Sequence, residues 1–90
     1  MNYLHTEFWG GCETVALITL DGQANVLLLD DGNYSAYCAG RSYQYRGGWA
    51  TRSPVKLSPP HHGHWHVVID VGGYAGSVRA GVRVIEGSVA

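Results

Sequence analysis

From Gly63 to Asp70 the chain alternates, with Trp65, Val67 and Ile69 on one side and His64, His66, Val68 and Asp70 on the other. Val78 to Ile85 alternates more strictly, Val78, Ala80, Val82 and Val84 opposing Arg79, Gly81 and Arg83. Period-two spacing with β-branched and aromatic residues on one side predicts half-buried strands. Gly72-Gly73-Tyr74-Ala75-Gly76 lies between them, so the two read as an antiparallel hairpin with a longer loop. Its inner face centres on Trp65. Its outer face is solvated and pairs Asp70 with Arg79 as a modest surface ion pair, with His66 near Arg83.

Earlier segments read as further short strands. Tyr3 to Phe8 alternates and is broken by Trp9-Gly10-Gly11. Glu13 to Leu20 is apolar on both faces, which predicts a central strand covered on both sides. Asp21-Gly22 marks a turn before Asn25 to Asp30. Ser42 to Ala50 carries outward Tyr43 and Tyr45, and its Gly47-Gly48 predicts a bulge or bend. Val55-Lys56-Leu57 is a short strand closed by Ser58-Pro59-Pro60. Between Asp31 and Gly40 lies the one helix signal, with Asp31 as N-cap, Gly40 as left-handed terminator, and Tyr34, Tyr37 and Cys38 on one face. About seven short strands and one small helix predict a mainly β fold, a single compact antiparallel β-sandwich over residues 1–90, with residues 86–90 fraying.

Thirteen glycines and three prolines agree with short strands and tight turns. A hydrophobic share of 46% against 14% charged excludes a disordered chain. A net charge of −1 leaves no basic footprint, so nucleic acid is not an expected partner. No apolar run reaches the length of a membrane-spanning helix, and the first residues lack a basic start and an apolar signal core. A cytoplasmic protein is expected, with Cys12 and Cys38 as reduced thiols.

Each candidate for chemistry has a bland counterpart. His61, His62, His64 and His66 fall within six residues, and His64 and His66 share a strand face, a spacing zinc can use. A third ligand has no spacing to identify it, Asp70 and His5 being the options, so the histidines read first as surface residues. Asp30-Asp31 offers a carboxylate at a strand end, but the helix signal behind it favours a cap. Arg41, Arg46 and Arg52 are interleaved with Tyr43, Tyr45 and Trp49. Guanidinium groups beside aromatic faces suit a nucleotide-like anion, and equally suit a solvated sheet face. No Gly-x-Ser-x-Gly elbow, cysteine signature or Walker pattern is present.

Ala24-Asn25-Val26-Leu27-Leu28-Leu29-Asp30-Asp31, Gly47-Gly48 through Ser53-Pro54-Val55, and Pro60 with Gly63-His64-Trp65-His66-Val67-Val68-Ile69-Asp70 and Gly72-Gly73-Tyr74-Ala75-Gly76 together resemble a bacterial family, domain of unknown function 1883. The likeness runs from about His5 to Ile85. It implies a small β-sandwich domain that stands alone or beside TIR domains, and hence a link to bacterial immune or NAD-derived signalling. It supplies no catalytic residues. Pro60, Gly63, Trp65 and Asp70 fit the family pattern, whereas His61, His62, His66 and Phe8-Trp9-Gly10-Gly11-Cys12 depart from it.

The expected function is therefore a non-catalytic module that binds a small polar or nucleotide-like ligand, or a protein partner. Asp30, Tyr34, Arg41, Tyr43, Arg46, Arg52 and Arg79 are its candidate ligand-binding residues, with no catalytic residue, cofactor or metal. The alternatives are a small hydrolase or metal-dependent enzyme using Asp30, Asp31 and the His61–His66 region, with His64 and His66 as metal ligands, and a structural domain that self-associates as a homo-oligomer.

Overall fold

A computed structural model describes residues 3–71 and 78–86. Among them the order is β1 (Tyr3–Gly10), β2 (Thr14–Leu20), β3 (Ala24–Asp30), α1 (Asp31–Cys38), β4 (Arg46–Ala50), β5 (Val55–Leu57), β6 (Gly63–Asp70) and β7 (Ala80–Glu86). Two antiparallel sheets form, one with the strand order β1-β6-β3-β4 and one with β5-β2-β7. Their inner faces share one core, to which Phe8, Val26, Leu28, Trp65, Val67 and Ile69 come from the first sheet and Ala16 and Ile18 from the second. The mainly β sandwich with one short helix is thus observed.

The expected hairpin is not. β6 pairs with β1 and β3, while β7 pairs with β2 in the other sheet. Alternation fixes which face of a strand is buried, but both sheets need inward valines, so it does not choose between partners. The Asp70–Arg79 and His66–Arg83 neighbours fall with the hairpin. Asp70 is buried, and Arg83 lies opposite Leu17. The glycine-rich loop expected to join that hairpin lies outside the described residues. Arg79 is held by its backbone, its N–H donating to Asp21 Oδ1 at 2.7 Å and its carbonyl accepting from Asp21 N–H at 3.0 Å.

The strand covered on both sides is β3 rather than β2. Val26 and Leu28 face the sandwich core, while Leu27 and Leu29 join Val68 in a second cluster on the outer face of the four-stranded sheet. Tyr3, Tyr34, Tyr37 and Tyr43 close that cluster, two of them carried by α1. β2 is central in its sheet, but its outer face is only half-buried because no helix covers it.

Helix α1 starts one residue earlier in capping terms than expected. Asp30 is the N-cap, its Oδ1 accepting the Asn33 N–H at 2.8 Å, so Asp31 is the first helical residue. The C-terminus is a Schellman closure, with Gly40 at φ +73° and the Gly40 and Arg41 amides donating to the Tyr37 and Ala36 carbonyls. At Gly47, φ is +108° and an added Cβ would run into the Val26 carbonyl oxygen, so the β3–β4 approach depends on glycine there.

Several boundaries differ from expectation. β1 continues through Trp9 and Gly10, which pair with His64 and Gly63. β4 begins only at Arg46. Glu86 is part of β7 opposite Thr14 and accepts a hydrogen bond from the Thr14 hydroxyl at 3.2 Å; residues 87–90, the rest of the expected fraying tail, lie outside the described residues.

Trp65 is 5% exposed and its indole N–H donates to the His61 carbonyl at 3.2 Å. Trp65→Ala is expected to cost ~3–5 kcal/mol, read as a large fall in urea midpoint. An unchanged midpoint would place the indole outside the core.

Candidate functional site

Chemistry gathers on the outer face of the four-stranded sheet, at the end where α1 begins. The register sets His5, Glu7 and Trp9 of β1 beside His64 and His66 of β6, with Glu7 directly opposite His66 and Trp9 opposite His64. Because Asp30 caps the helix, the next carboxylate, Asp31, is free to turn towards the histidines. Its Oδ1 lies 2.7 Å from His64 Nδ1 and 2.6 Å from His66 Nε2. His64 Nε2 is 3.0 Å from Glu7 Oε1. His66 is buried, contrary to its expected place on a solvated face, since α1 covers that part of the sheet.

A line of hydrogen bonds continues inward. His66 Nδ1 is 2.8 Å from His5 Nε2, and His5 Nδ1 is 3.3 Å from the Tyr34 hydroxyl. Tyr34 and Tyr3 hydroxyls are 3.0 Å apart, and Cys38 Sγ is 3.5 Å from the Tyr3 hydroxyl. An ionised carboxylate only accepts, so His66 Nε2–H donates to Asp31. With His66 neutral, its Nδ1 then accepts from His5 Nε2–H, and His5 Nδ1 accepts from Tyr34. Tyr34 accepts from Tyr3, and Tyr3 from the Cys38 thiol. One proton arrangement satisfies every member. The Tyr34 ring lies parallel to both imidazoles, 4.3 Å from each, and holds them nearly coplanar.

Hydrogen bonds from His66 and then His64 hold the Asp31 carboxyl below its usual range. Burial, then the neighbouring His66, lowers the pKa of His5. The Tyr34 phenol is raised, first by its bond with Tyr3 and then by burial.

Asp70, offered as a third metal ligand, sits at the far end of β6. There it accepts from Asn25 Nδ2 at 3.1 Å and from the Tyr37 hydroxyl at 2.7 Å. His5 supports His66 rather than joining His64. Glu7 and Asp31 take the places that sequence spacing left open. Finding Glu7 requires the β1–β6 register, and finding Asp31 requires knowing which aspartate caps.

A second feature lies across Asp30. Leu28, Asp30, Asn33, Gln44, Tyr45, Arg46, Pro60, His61 and Trp65 line a cleft of about 480 Å³. Of the residues expected to bind ligand, it brings together Asp30 and Arg46. Tyr34 belongs to the histidine stack. Tyr43 is half-buried against Tyr37 and Tyr45, and burial first, then Asp70, raises its phenol. Arg41 and Arg52 are exposed outside the cleft, and Arg79 lies by the Asp21 turn, just before β7 of the opposite sheet. The seven residues therefore do not form one site. Cys12 and Cys38 are both free and exposed. Among the described residues no helix is long and apolar enough to cross a membrane.

The chain belongs to the family described as a domain of unknown function, DUF1883, which it matches over residues 1–88. No curated protein and no solved structure matches it.

Tyr37 supplies a pH test of the helix-to-sheet contact. Burial, then its bond to Asp70, raises the Tyr37 phenol above its ordinary 10.0. The neutral form is favoured in the folded state, so this contribution is complete below pH 10.0 and is lost as pH rises through the higher folded value. Tyr37→Phe is expected to cost ~1–3 kcal/mol at neutral pH. In urea melts the difference from wild type should shrink in strong alkali. A difference that grows there would contradict the assignment.

Proposed function

We propose that this DUF1883 member is a non-catalytic binding module for a small, anionic, nucleotide-like ligand seated in the cleft beside Asp30 and Arg46. The observation that carries this reading is the cleft itself. Its volume of about 480 Å³ falls within the ~300–1,000 Å³ typical of small-molecule sites. Its wall mixes an exposed guanidinium at Arg46, amides from Asn33 and Gln44, an imidazole at His61 and the half-exposed ring of Tyr45. A guanidinium suits a phosphate in a bidentate grip, and an aromatic face suits a base.

Binding is favoured over hydrolysis because one oxygen of the carboxylate in the cleft is already committed. Asp30 Oδ1 accepts from both the backbone N–H and the side-chain amide of Asn33, at 2.8 and 2.9 Å. A general base must reach the proton it removes, and this oxygen is engaged in starting α1. The family's implied place beside TIR domains, in the bacterial cytoplasm, makes NAD-derived nucleotides the first ligands to try.

Thermal shift and calorimetry with NAD, ADP-ribose, cyclic ADP-ribose and AMP test the proposal. A ligand at one hundred times its Kd stabilises by ~2.7 kcal/mol, and that gain should vanish in Arg46→Ala but persist in Arg79→Ala. The nucleotide should be recovered unchanged. Binding that ignores Arg46, or no binding by any of the four, would refute the assignment, and a cleaved nucleotide would replace it with the hydrolase.

A further inference from the structure

We infer that Glu7, His64 and His66 form a binding site for one divalent transition-metal ion of the zinc type, with Asp31 beside it. The inference is independent of the nucleotide cleft, since these four residues are not part of its lining. Donor atoms of Glu7, His64 and His66 lie within 4.8 Å of one another. Two ligands each ~2.0–2.1 Å from zinc stand at most ~4 Å apart, so the widest of these separations must close by less than ~1 Å. Asp31 Oδ1 already touches a nitrogen of each histidine. Imidazole and carboxylate without thiolate is a donor set for zinc-type ions, whereas calcium and magnesium prefer oxygen alone.

His64 meets a carboxylate at each ring nitrogen, Asp31 at Nδ1 and Glu7 at Nε2. An ion held at Nε2 beside Glu7 leaves Asp31 at Nδ1 as the outer carboxylate of a ligating histidine. Asp31 and Glu7 are 68% and 53% exposed in their side chains, so an ion can enter from solvent.

The surroundings resemble the outer support of a metal site. The nitrogen of His66 turned away from Asp31 is bonded to His5, which fixes the ring plane, as outer partners of ligating histidines do. Tyr34 covers that pair, and Trp9 lies 4.9 Å from the His64 ring. His61 and His62 are exposed on the preceding loop, outside the donor set. They serve as internal controls.

Tag-free protein, stripped with chelator, is titrated with Zn2+ by calorimetry and with Co2+ by visible absorption. One ion per chain is expected, with the intense d–d bands of low-coordinate Co2+ and a Zn2+-dependent rise in Tm. His64→Gln and Glu7→Gln should each abolish the Co2+ bands while circular dichroism shows the sheets intact, and the paired variant His61→Ala/His62→Ala should keep them. His5→Ala, which removes the support of His66 and the bond to Tyr34, should weaken Zn2+ binding by ~10–100-fold. No stoichiometric ion, or binding that survives His64→Gln and disappears with His61→Ala/His62→Ala, would overturn the site. Because the nucleotide assay reads Arg46, either proposal can fail alone.

Discussion

The four-stranded sheet has to be covered on both sides. β3 and β6 are apolar towards the sandwich core and, through Leu27, Leu29 and Val68, apolar on the back as well. A domain of this size gains too little from one core to leave a second apolar face in water. The three-stranded sheet covers one side and α1 the other, with Tyr34 and Tyr37 as the contact. The short helix is therefore not an ornament on a sandwich. It closes a second, smaller core.

That closure also explains why polar residues end up buried. The back of β6 carries His66 and Asp70 on either side of Val68, and covering Val68 covers both. A buried polar group without a partner costs several kcal/mol, and both are provided for by the layer that buries them. Asp70 meets Tyr37, and His66 meets Asp31 and, across the sheet, His5. Among the described residues no buried side-chain polar atom lacks a hydrogen bond. The histidine–carboxylate cluster is thus a consequence of the helix's position, with its geometry set by the capping choice at Asp30.

Much of this was legible in the residues. Period-two alternation placed Trp65, Val67 and Ile69 inward, the Asp31–Gly40 signals located α1, and Tyr34 and Tyr37 were placed on one helix face. Strand partners were not legible. Val78 to Val84 fits beside β2 as well as beside β6 by pattern, and adjacency in sequence favoured the wrong neighbour. The same gap hid the site. His64 and His66 were visible as a pair, but Glu7 reaches them only through the β1–β6 register. Asp31 reaches them only because Asp30 takes the cap, a choice between two adjacent aspartates that local propensity does not make. The seven residues chosen for ligand binding were selected by chemistry without topology, and the fold distributes them over several places.

The central claim is that the back of β6 is an ordered, helix-covered polar layer rather than a solvated strand face. Nitrogen-15 NMR of the imidazole rings tests it most directly, because ring nitrogens report tautomer and hydrogen bonding together. In metal-free protein at neutral pH, His66 and His5 are expected as Nε2–H tautomers, with Nδ1 accepting and with ring protons that exchange slowly with water. His61 and His62 are expected to exchange freely. A His66 ring that shows averaged tautomers and rapid proton exchange, like that of His61, would contradict the account.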